Sequence, residues 1–156
     1  MTLTVIALWA LVLALGVQTG AGIYETRVTV PLWADDPPAS LTAFHAQPRK
    51  PDSGRRLWMI LTPITALISL VNLVVALMSH ELMRGWWIAA SGASVFIMVV
   101  TFAYFVPELI SFAKTAAAPP AGVAPRVRRW VALNYLRAVI LIAAWIAALK
   151  AFSSIV

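Results

Sequence analysis

Apolar residues divide this chain into four long segments separated by three polar links. Only Arg137 places a charge inside any of the segments, which cover residues 1–24, 57–79, 85–107 and 130–149. A helix needs about 20 residues to cross the hydrocarbon core of a bilayer, which is about 30 Å thick. The pattern therefore predicts an all-α protein, an antiparallel four-helix transmembrane bundle. Allowing for helix ends in the links, we place the helices at approximately 2–24, 57–79, 85–113 and 128–152.

The links differ in length and in proline content. Residues 80–84 form a link of five residues between the second and third segments, so these helices must be antiparallel neighbours. The other two links are long and rich in proline, which lacks the N–H needed inside a helix. We therefore predict a long irregular first loop over residues 25–56, in which residues 28–33 form a short strand or a flap that caps the bundle. One such bundle occupies the whole chain, 1–156, as a single domain.

Composition supports a membrane protein and removes several kinds of chemistry. Hydrophobic residues make up 62% of the chain, against about 45–50% in soluble domains. There is no cysteine, so disulfides, thiolate nucleophiles and sulfur-ligated metals are excluded. The first segment lacks a basic start and a distinct cleavage site, and we expect it to be a retained helix.

Positive charge predicts the orientation of the helices. The net charge is +6, and nine of the twelve Lys and Arg residues lie in the two long links. Because cytoplasmic loops retain such an excess, we expect the long links in the cytoplasm and both termini outside. The basic residues flank apolar segments, which favours membrane lipid and not nucleic acid as their partner. Tryptophans at both ends of the segments are typical of interfacial anchors.

Polar residues inside the segments are candidates for function, because they are costly when unsatisfied in an apolar surrounding. Thr65, Ser69 and Asn72 share one helical face of the second segment, and Ser91 and Ser94 lie on a similar stripe of the third. Such residues can simply join helices by close approach and hydrogen bonds. They can equally line a pocket, and the sequence leaves both explanations open.

The predicted topology brings one group of polar residues to a similar depth. Arg137 in the last segment needs an anionic partner, for which Glu108 and Glu25 are the candidates. Either this is a structural ion pair that fixes helix register, or it belongs to a substrate pocket. For the pocket, the candidate catalytic residues are Glu108, Arg137, Asn134 and Glu25, and the candidate substrate-binding residues are Gln18, Tyr24, Trp33, Thr65, Asn72 and Tyr104.

Metal and cofactor signals are weak. His45 and His80 are the only histidines, and the topology places them on opposite sides of the membrane. A carboxylate-rich site of Glu25, His45 and Glu108 is a minor alternative without ligand-like spacing. We therefore predict no metal and no cofactor. Nucleotide-binding and acyl-transfer motifs are absent from the sequence.

Several short motifs carry a resemblance to a known family. They are Tyr24-Glu25, Pro31-x-Trp33, Trp58 with Pro63 and Asn72, Arg84-x-Trp86-Trp87, Phe105-x-Pro107 and Trp130-x-x-x-Asn134-x-x-Arg137. Together they resemble the anthrone-oxygenase-like family of small four-helix bacterial membrane proteins, which is otherwise labelled a domain of unknown function. The chain departs from the family pattern at Pro107-Glu108-Leu109, where an Asn-containing stretch is expected.

Fungal members of that family are implicated in oxidising anthrones to anthraquinones without flavin or haem, while most bacterial members have no assigned activity. The resemblance therefore implies an oxidoreductase of the bacterial inner membrane, cofactor-independent or metal-assisted, that acts on a hydrophobic polycyclic or quinone-like molecule. In the mechanism that we expect, a carboxylate removes an acidic C–H proton. Asn134 and Arg137 then stabilise the enolate, whose carbanion reacts with dioxygen. The alternative is a non-catalytic partner subunit or small-molecule carrier with a structural Glu–Arg pair. A tightly packed interior without a ligand-sized void would favour that alternative.

Overall fold

The part of the chain that the structure describes folds into four long helices and one short helix. The structure is a computed structural model that describes residues 3–47, 55–80 and 82–154. In chain order the helices are α1 (Leu3–Ala34), α2 (Ala39–Ala46), α3 (Arg55–Met78), α4 (Arg84–Thr115) and α5 (Val123–Phe152). The four long helices have the length and the apolarity needed to cross a bilayer. The predicted all-α bundle is confirmed.

The long helices form a closed antiparallel ring. α1 packs on α3 and α5, and α4 packs on the same two helices from the opposite side. Trp9 near the start of α1 contacts Phe152 at the end of α5, with ring centroids 5.1 Å apart. Further along α1, a Cβ on Gly16 would lie 3.2 Å from the indole of Trp145. The absence of a side chain on Gly16 therefore lets α1 and α5 approach closely.

The first link is helical where it was expected to be irregular. α1 does not end at Tyr24 but continues to Ala34, so the expected strand at residues 28–33 is wrong and this segment is helical. α2 is also helical. Residues 35–38 and 47 are the non-helical part of the described loop, and residues 48–54 lie outside the described residues.

The same local feature, a π turn before a proline, allows both α1 and α4 to continue past that proline. Each contains a five-residue π turn, Glu25–Thr29 in α1 and Thr101–Phe105 in α4, followed by a valine and then Pro31 or Pro107. Proline has no N–H, and its ring collides with the carbonyl one turn earlier in an α-helix. A wider π turn before the proline adjusts the backbone locally. Each helix therefore continues past its proline, where the sequence alone predicts that the helix ends.

Apolar side chains form two separate clusters along the bundle. The first, here the bundle core, includes Leu8, Leu11, Leu15, Trp87, Ala90, Leu141 and Ala148. The second, here the aromatic cap, lies beyond the π turns and includes Val30, Trp33, Leu41, Phe44, Phe105, Phe112 and Trp130. Trp130 joins the cap together, with ring centroids 5.3 Å from Trp33 and 5.5 Å from Phe105.

Candidate functional site

A small cavity lies at the level where the bundle core meets the aromatic cap. Its walls come from α1, α3 and α5, and the lining residues are Gln18, Thr19, Gly22, Thr26, Trp58, Asn134, Arg137, Ala138 and Leu141. Its volume is about 10 Å³, which is enough for one water molecule. The cavity therefore has room for a single polar group.

Gly22 helps to keep the cavity open. It is buried in α1, yet a Cβ built on it would meet no heavy atom within 4 Å. Buried positions in a close-packed interior normally leave no such space. Gly20 also has no heavy atom within 4 Å of a Cβ, but it is exposed on the outer face of α1. A larger side chain at position 22 would therefore fill the cavity, whereas one at position 20 would point away from the bundle.

Arg137 supplies the positive charge of the site. It follows Val123, the first residue of α5, by 14 residues, or about 21 Å along the helix axis. Its Nη2 lies 3.5 Å from Glu25 Oε2, and the two side chains are only 14% and 13% exposed. The guanidinium carbon also lies 4.7 Å from the ring centroid of Phe105. Trp58 of α3 lines the same cavity as Arg137.

Both π turns contribute to the surroundings of Arg137. Glu25 is the first residue of the π turn in α1, and Phe105 is the last residue of the π turn in α4. Turns of this type occur frequently at functional sites. The two irregular turns therefore bring a carboxylate and an aromatic face to the same guanidinium.

The orientation of the Asn134 amide follows from its hydrogen bonds. The Thr26 hydroxyl donates its only proton to the carbonyl oxygen of Gly22, at 2.7 Å. Thr26 Oγ1 can then only accept from Asn134, whose Nδ2 lies 2.9 Å away. Asn134 Oδ1 consequently points elsewhere, and it is buried without a hydrogen-bond partner.

Two more lining residues carry unsatisfied oxygen atoms. Gln18 Oε1 and Thr19 Oγ1 are buried and have no partner. Gln18 Nε2 is 3.9 Å from Met98 Sδ, which is only a weak acceptor. A buried polar group without a partner costs about 1–3 kcal/mol. An occupant that donates hydrogen bonds would recover part of that free energy.

The structure brings together only some of the candidate catalytic residues. Arg137 and Asn134 line the cavity, and Glu25 is paired with Arg137. Glu108 does not reach this site and instead forms an ion pair with Arg126, at 3.0 Å. The register of the antiparallel helices α4 and α5 is the reason, because Arg126 precedes Arg137 by 11 residues, or about 16 Å. Of the two candidate partners for Arg137, Glu25 therefore forms the pair and Glu108 does not.

Among the candidate substrate-binding residues, only Gln18 lines the cavity. Asn72 is fully bonded elsewhere, since its Oδ1 accepts from Trp87 Nε1 at 3.0 Å and its Nδ2 donates to Ile68 O at 2.9 Å. The Ser69 and Ser94 hydroxyls are 2.7 Å apart between the same two helices. This seam between α3 and α4 fits the explanation that such residues join helices. Thr65 is buried without a partner and is not a lining residue.

The aromatic candidates also lie outside the cavity. Tyr24 is 64% exposed, Tyr104 packs on the ring of Phe105, and Trp33 belongs to the aromatic cap. The view of all tryptophans as interfacial anchors is wrong for Trp33 and also for Trp87 and Trp130, because each is buried. Polar partners explain two of these positions, since the indole of Trp87 donates to Asn72 and that of Trp130 to the carbonyl of Phe105.

The minor metal-site alternative is not formed. Within residues 3–47, 55–80 and 82–154, no three His, Asp or Glu side chains are grouped so that they could hold a metal ion. Glu25 and Glu108 are instead paired with different arginines, Arg137 and Arg126. The three residues of that alternative, including His45, therefore do not form one site.

Sequence reasoning missed several lining residues, including Thr19, Gly22, Thr26 and Trp58. A usable signal existed, because Gln18, Gly22 and Thr26 are spaced by four residues and so share a face of a continuous helix. Ending the helix at Tyr24 concealed that spacing.

Comparisons with protein-family models, with curated proteins and with solved structures found no match. The resemblance to the anthrone-oxygenase-like family stays a prediction from the sequence motifs.

Proposed function

We propose that this chain is an integral membrane protein that binds a small hydrophobic molecule by its polar end in the cavity beside Gly22. The observation that carries the proposal is the group of buried oxygens without partners, on Gln18, Thr19 and Asn134, around an unfilled space. A cavity of this size admits one polar group, so the apolar part of the molecule would lie between helices or in lipid. This arrangement favours a binder or carrier.

Filling the cavity tests this proposal. Gly22→Leu should remove a bound molecule, because the new side chain would occupy the space beside Gln18 and Asn134. Gly20→Leu is the matched control, since it adds the same side chain two residues earlier on an exposed face. Both variants and the wild type would be purified in nanodiscs from native membranes, and their small-molecule extracts compared by mass spectrometry. A hydrophobic molecule present in the wild type and Gly20→Leu, but depleted at least tenfold in Gly22→Leu, is expected. Identical extracts from all three would contradict the proposal.

We further propose that the chain lies in the bacterial inner membrane with its termini outside and its long links in the cytoplasm. The supporting observation is the charge asymmetry between the two sides, with nine Lys and Arg residues in the long links against Arg84 and Lys150 on the side of the short link and the C-terminus. Single cysteines can report on this, because the chain has none. An impermeant thiol reagent should label Ser154→Cys in intact cells and label Ala121→Cys only after permeabilisation. The opposite labelling pattern would reverse the proposed orientation.

A second candidate function is oxidation of the bound molecule, which the motif resemblance also implies. The favouring observation is that the guanidinium of Arg137 and the amide of Asn134 belong to residues that line one small space, and that the carboxylate of Glu25 pairs with this guanidinium at 3.5 Å. In this reaction Glu25, and not Glu108, would remove the acidic C–H proton. Arg137 would then stabilise the enolate oxygen, since Asn134 Nδ2 already donates to Thr26. The carbanion would pass its electrons to dioxygen and form a C–O bond, and the resulting peroxide would take the proton back from Glu25 and lose water to give a ketone.

Oxygen consumption with an anthrone in nanodiscs tests the second candidate. Glu25→Gln should abolish oxygen uptake, because the amide keeps the shape but cannot act as the base. Glu108→Gln is the matched control and should leave uptake unchanged, since Glu108 pairs with Arg126 away from the cavity. Equal uptake by all three proteins would exclude Glu25 as the base. No uptake by the wild type would leave the binder as the proposed function.

A further inference from the structure

The cavity presents an unusual combination of hydrogen-bonding groups. Asn134 Oδ1 and Gln18 Oε1 are amide oxygens without partners, so both can only accept a hydrogen bond. Their own amide groups are already directed to Thr26 and Met98. Arg137 lines the same space and can only donate. Because the cavity has room for a single polar group, an occupant that satisfies both the acceptors and the donor must donate and accept a hydrogen bond at the same atom.

This requirement separates the common polar end groups. A carboxylate would pair with Arg137 but would place its oxygens against the amide oxygens of Asn134 and Gln18. An ammonium group would satisfy those oxygens but would be repelled by Arg137. A ketone or quinone carbonyl accepts from Arg137 and has no proton for the two amides. A hydroxyl group donates once and accepts through its lone pairs, so it can satisfy one of the two amide oxygens and Arg137 at the same time.

Charge supports an uncharged end group. Arg137 is already opposed by Glu25 at 3.5 Å, with both side chains mostly buried. A further anion beside Glu25 would add like-charge repulsion in a poorly solvated place. One added positive charge would lie against the guanidinium instead. The size of the cavity, about 10 Å³, also fits one oxygen atom and not a branched acid.

From this inventory we infer that the molecule bound at Gly22 carries a neutral hydroxyl, as an alcohol or a phenol. Its proton goes to Asn134 Oδ1 or Gln18 Oε1, and its oxygen accepts from Arg137. This inference rests on the proposed binding function and adds the chemical class of the ligand. It also predicts discrimination between a hydroxyl compound and the matching ether or acid, which a merely apolar crevice would not show.

Calorimetric titration of the protein in nanodiscs tests the hydroxyl preference. The probes are 1-dodecanol and 4-octylphenol, the methyl ether of each, and dodecanoate, with empty nanodiscs as the blank for partitioning into lipid. At least one hydroxyl probe should bind about tenfold more tightly than its ether, because the ether cannot donate to the amide oxygens; tenfold corresponds to about one net hydrogen bond. Dodecanoate should also bind more weakly than dodecanol. Which hydroxyl probe is preferred distinguishes an alcohol from a phenol.

Variants connect the preference to the named atoms. Gln18→Met keeps the length of the side chain and removes an acceptor, and Asn134→Leu removes the other. Each should lower the hydroxyl-to-ether affinity ratio several-fold, and Gly22→Leu should abolish binding of every probe. Because Asn134→Leu also removes a bond to Thr26, the more conservative Gln18→Met decides if the former fails to fold. Asn72→Leu serves as a control with a buried amide outside the cavity, and it should leave the ratio unchanged.

The outcomes separate this inference from the proposed function. Equal binding of hydroxyl probes, ethers and acid by the wild type, abolished by Gly22→Leu, would overturn the hydroxyl preference and keep the binding site. Tighter binding of dodecanoate would overturn it in the same way. Binding of no probe above the empty-nanodisc blank would mean that the cavity holds water only, and both proposals would fall.

Discussion

Replacing Arg137 by alanine is expected to lower the free energy of unfolding by about 3–5 kcal/mol, because it leaves Glu25 buried without its cation. Glu25 is only 13% exposed, so water cannot readily replace the lost partner. Arg126→Ala is the matched control. It breaks an ion pair of the same type with Glu108, but Arg126 is 43% exposed, and such pairs contribute about 0–1 kcal/mol. Circular dichroism during titration with dodecyl sulfate in mixed micelles would measure both.

A double replacement identifies the cause of that loss. In Glu25→Leu/Arg137→Leu neither charge remains, and apolar replacements of a buried pair are often neutral or stabilising. We therefore expect the double variant to be more stable than Arg137→Ala alone. Equal destabilisation of the two would place the loss in packing, since the guanidinium also lies over the Phe105 ring.

Trp130→Ala should have an effect of similar size, about 3–5 kcal/mol, because it removes a large side chain from the centre of the aromatic cap. Trp130 is buried, contacts the rings of Trp33 and Phe105, and donates to the carbonyl of Phe105 at 3.2 Å. Trp86→Ala is the control, since Trp86 is half exposed, and it should lose much less. The same titration applies.

A conservative variant divides the Trp130 effect. Trp130→Phe keeps an aromatic ring and loses the indole N–H, so about 1 kcal/mol for the hydrogen bond and a smaller packing term are expected. A loss in Trp130→Ala no larger than that of Trp86→Ala would show that the cap does not stabilise the fold.

Length and apolarity were sufficient to predict the four long helices, and their antiparallel order followed from the short link after α3. The ends of the helices were harder to predict from the sequence, because the effect of a proline on a helix depends on the neighbouring residues. Pro31 and Pro107 are each preceded by a π turn, and Pro125 lies in the first turn of α5, where a missing N–H breaks no helical bond. A composition rule treats all these prolines as breaks.

The difficulty of predicting helix ends also explains why only some residues of the site were predicted correctly. Arg137, Asn134 and Gln18 were identified because polar residues in apolar helices are few. The choice between Glu25 and Glu108 depended on helix register, which was not accessible. Predicting α5 from about residue 128, when it begins at Val123, placed Arg137 too near the helix start and Glu108 too near Arg137. The spacing of Gln18, Gly22 and Thr26 could have placed Gly22 on the lining face, but the open space beside it could not be predicted, because that space depends on three helices at once.

The aromatic cap also sets an order for biogenesis. Trp33, at the end of α1, completes its contacts only with Phe112 of α4 and Trp130 of α5. The ribosome synthesises α1 before α4 and α5, so Trp33 lacks these two partners during most of translation. During that interval Leu41 and Phe44 of α2, buried in the finished fold, have no cap to enter. The cap therefore stays incomplete until α5, which carries Trp130, has been synthesised.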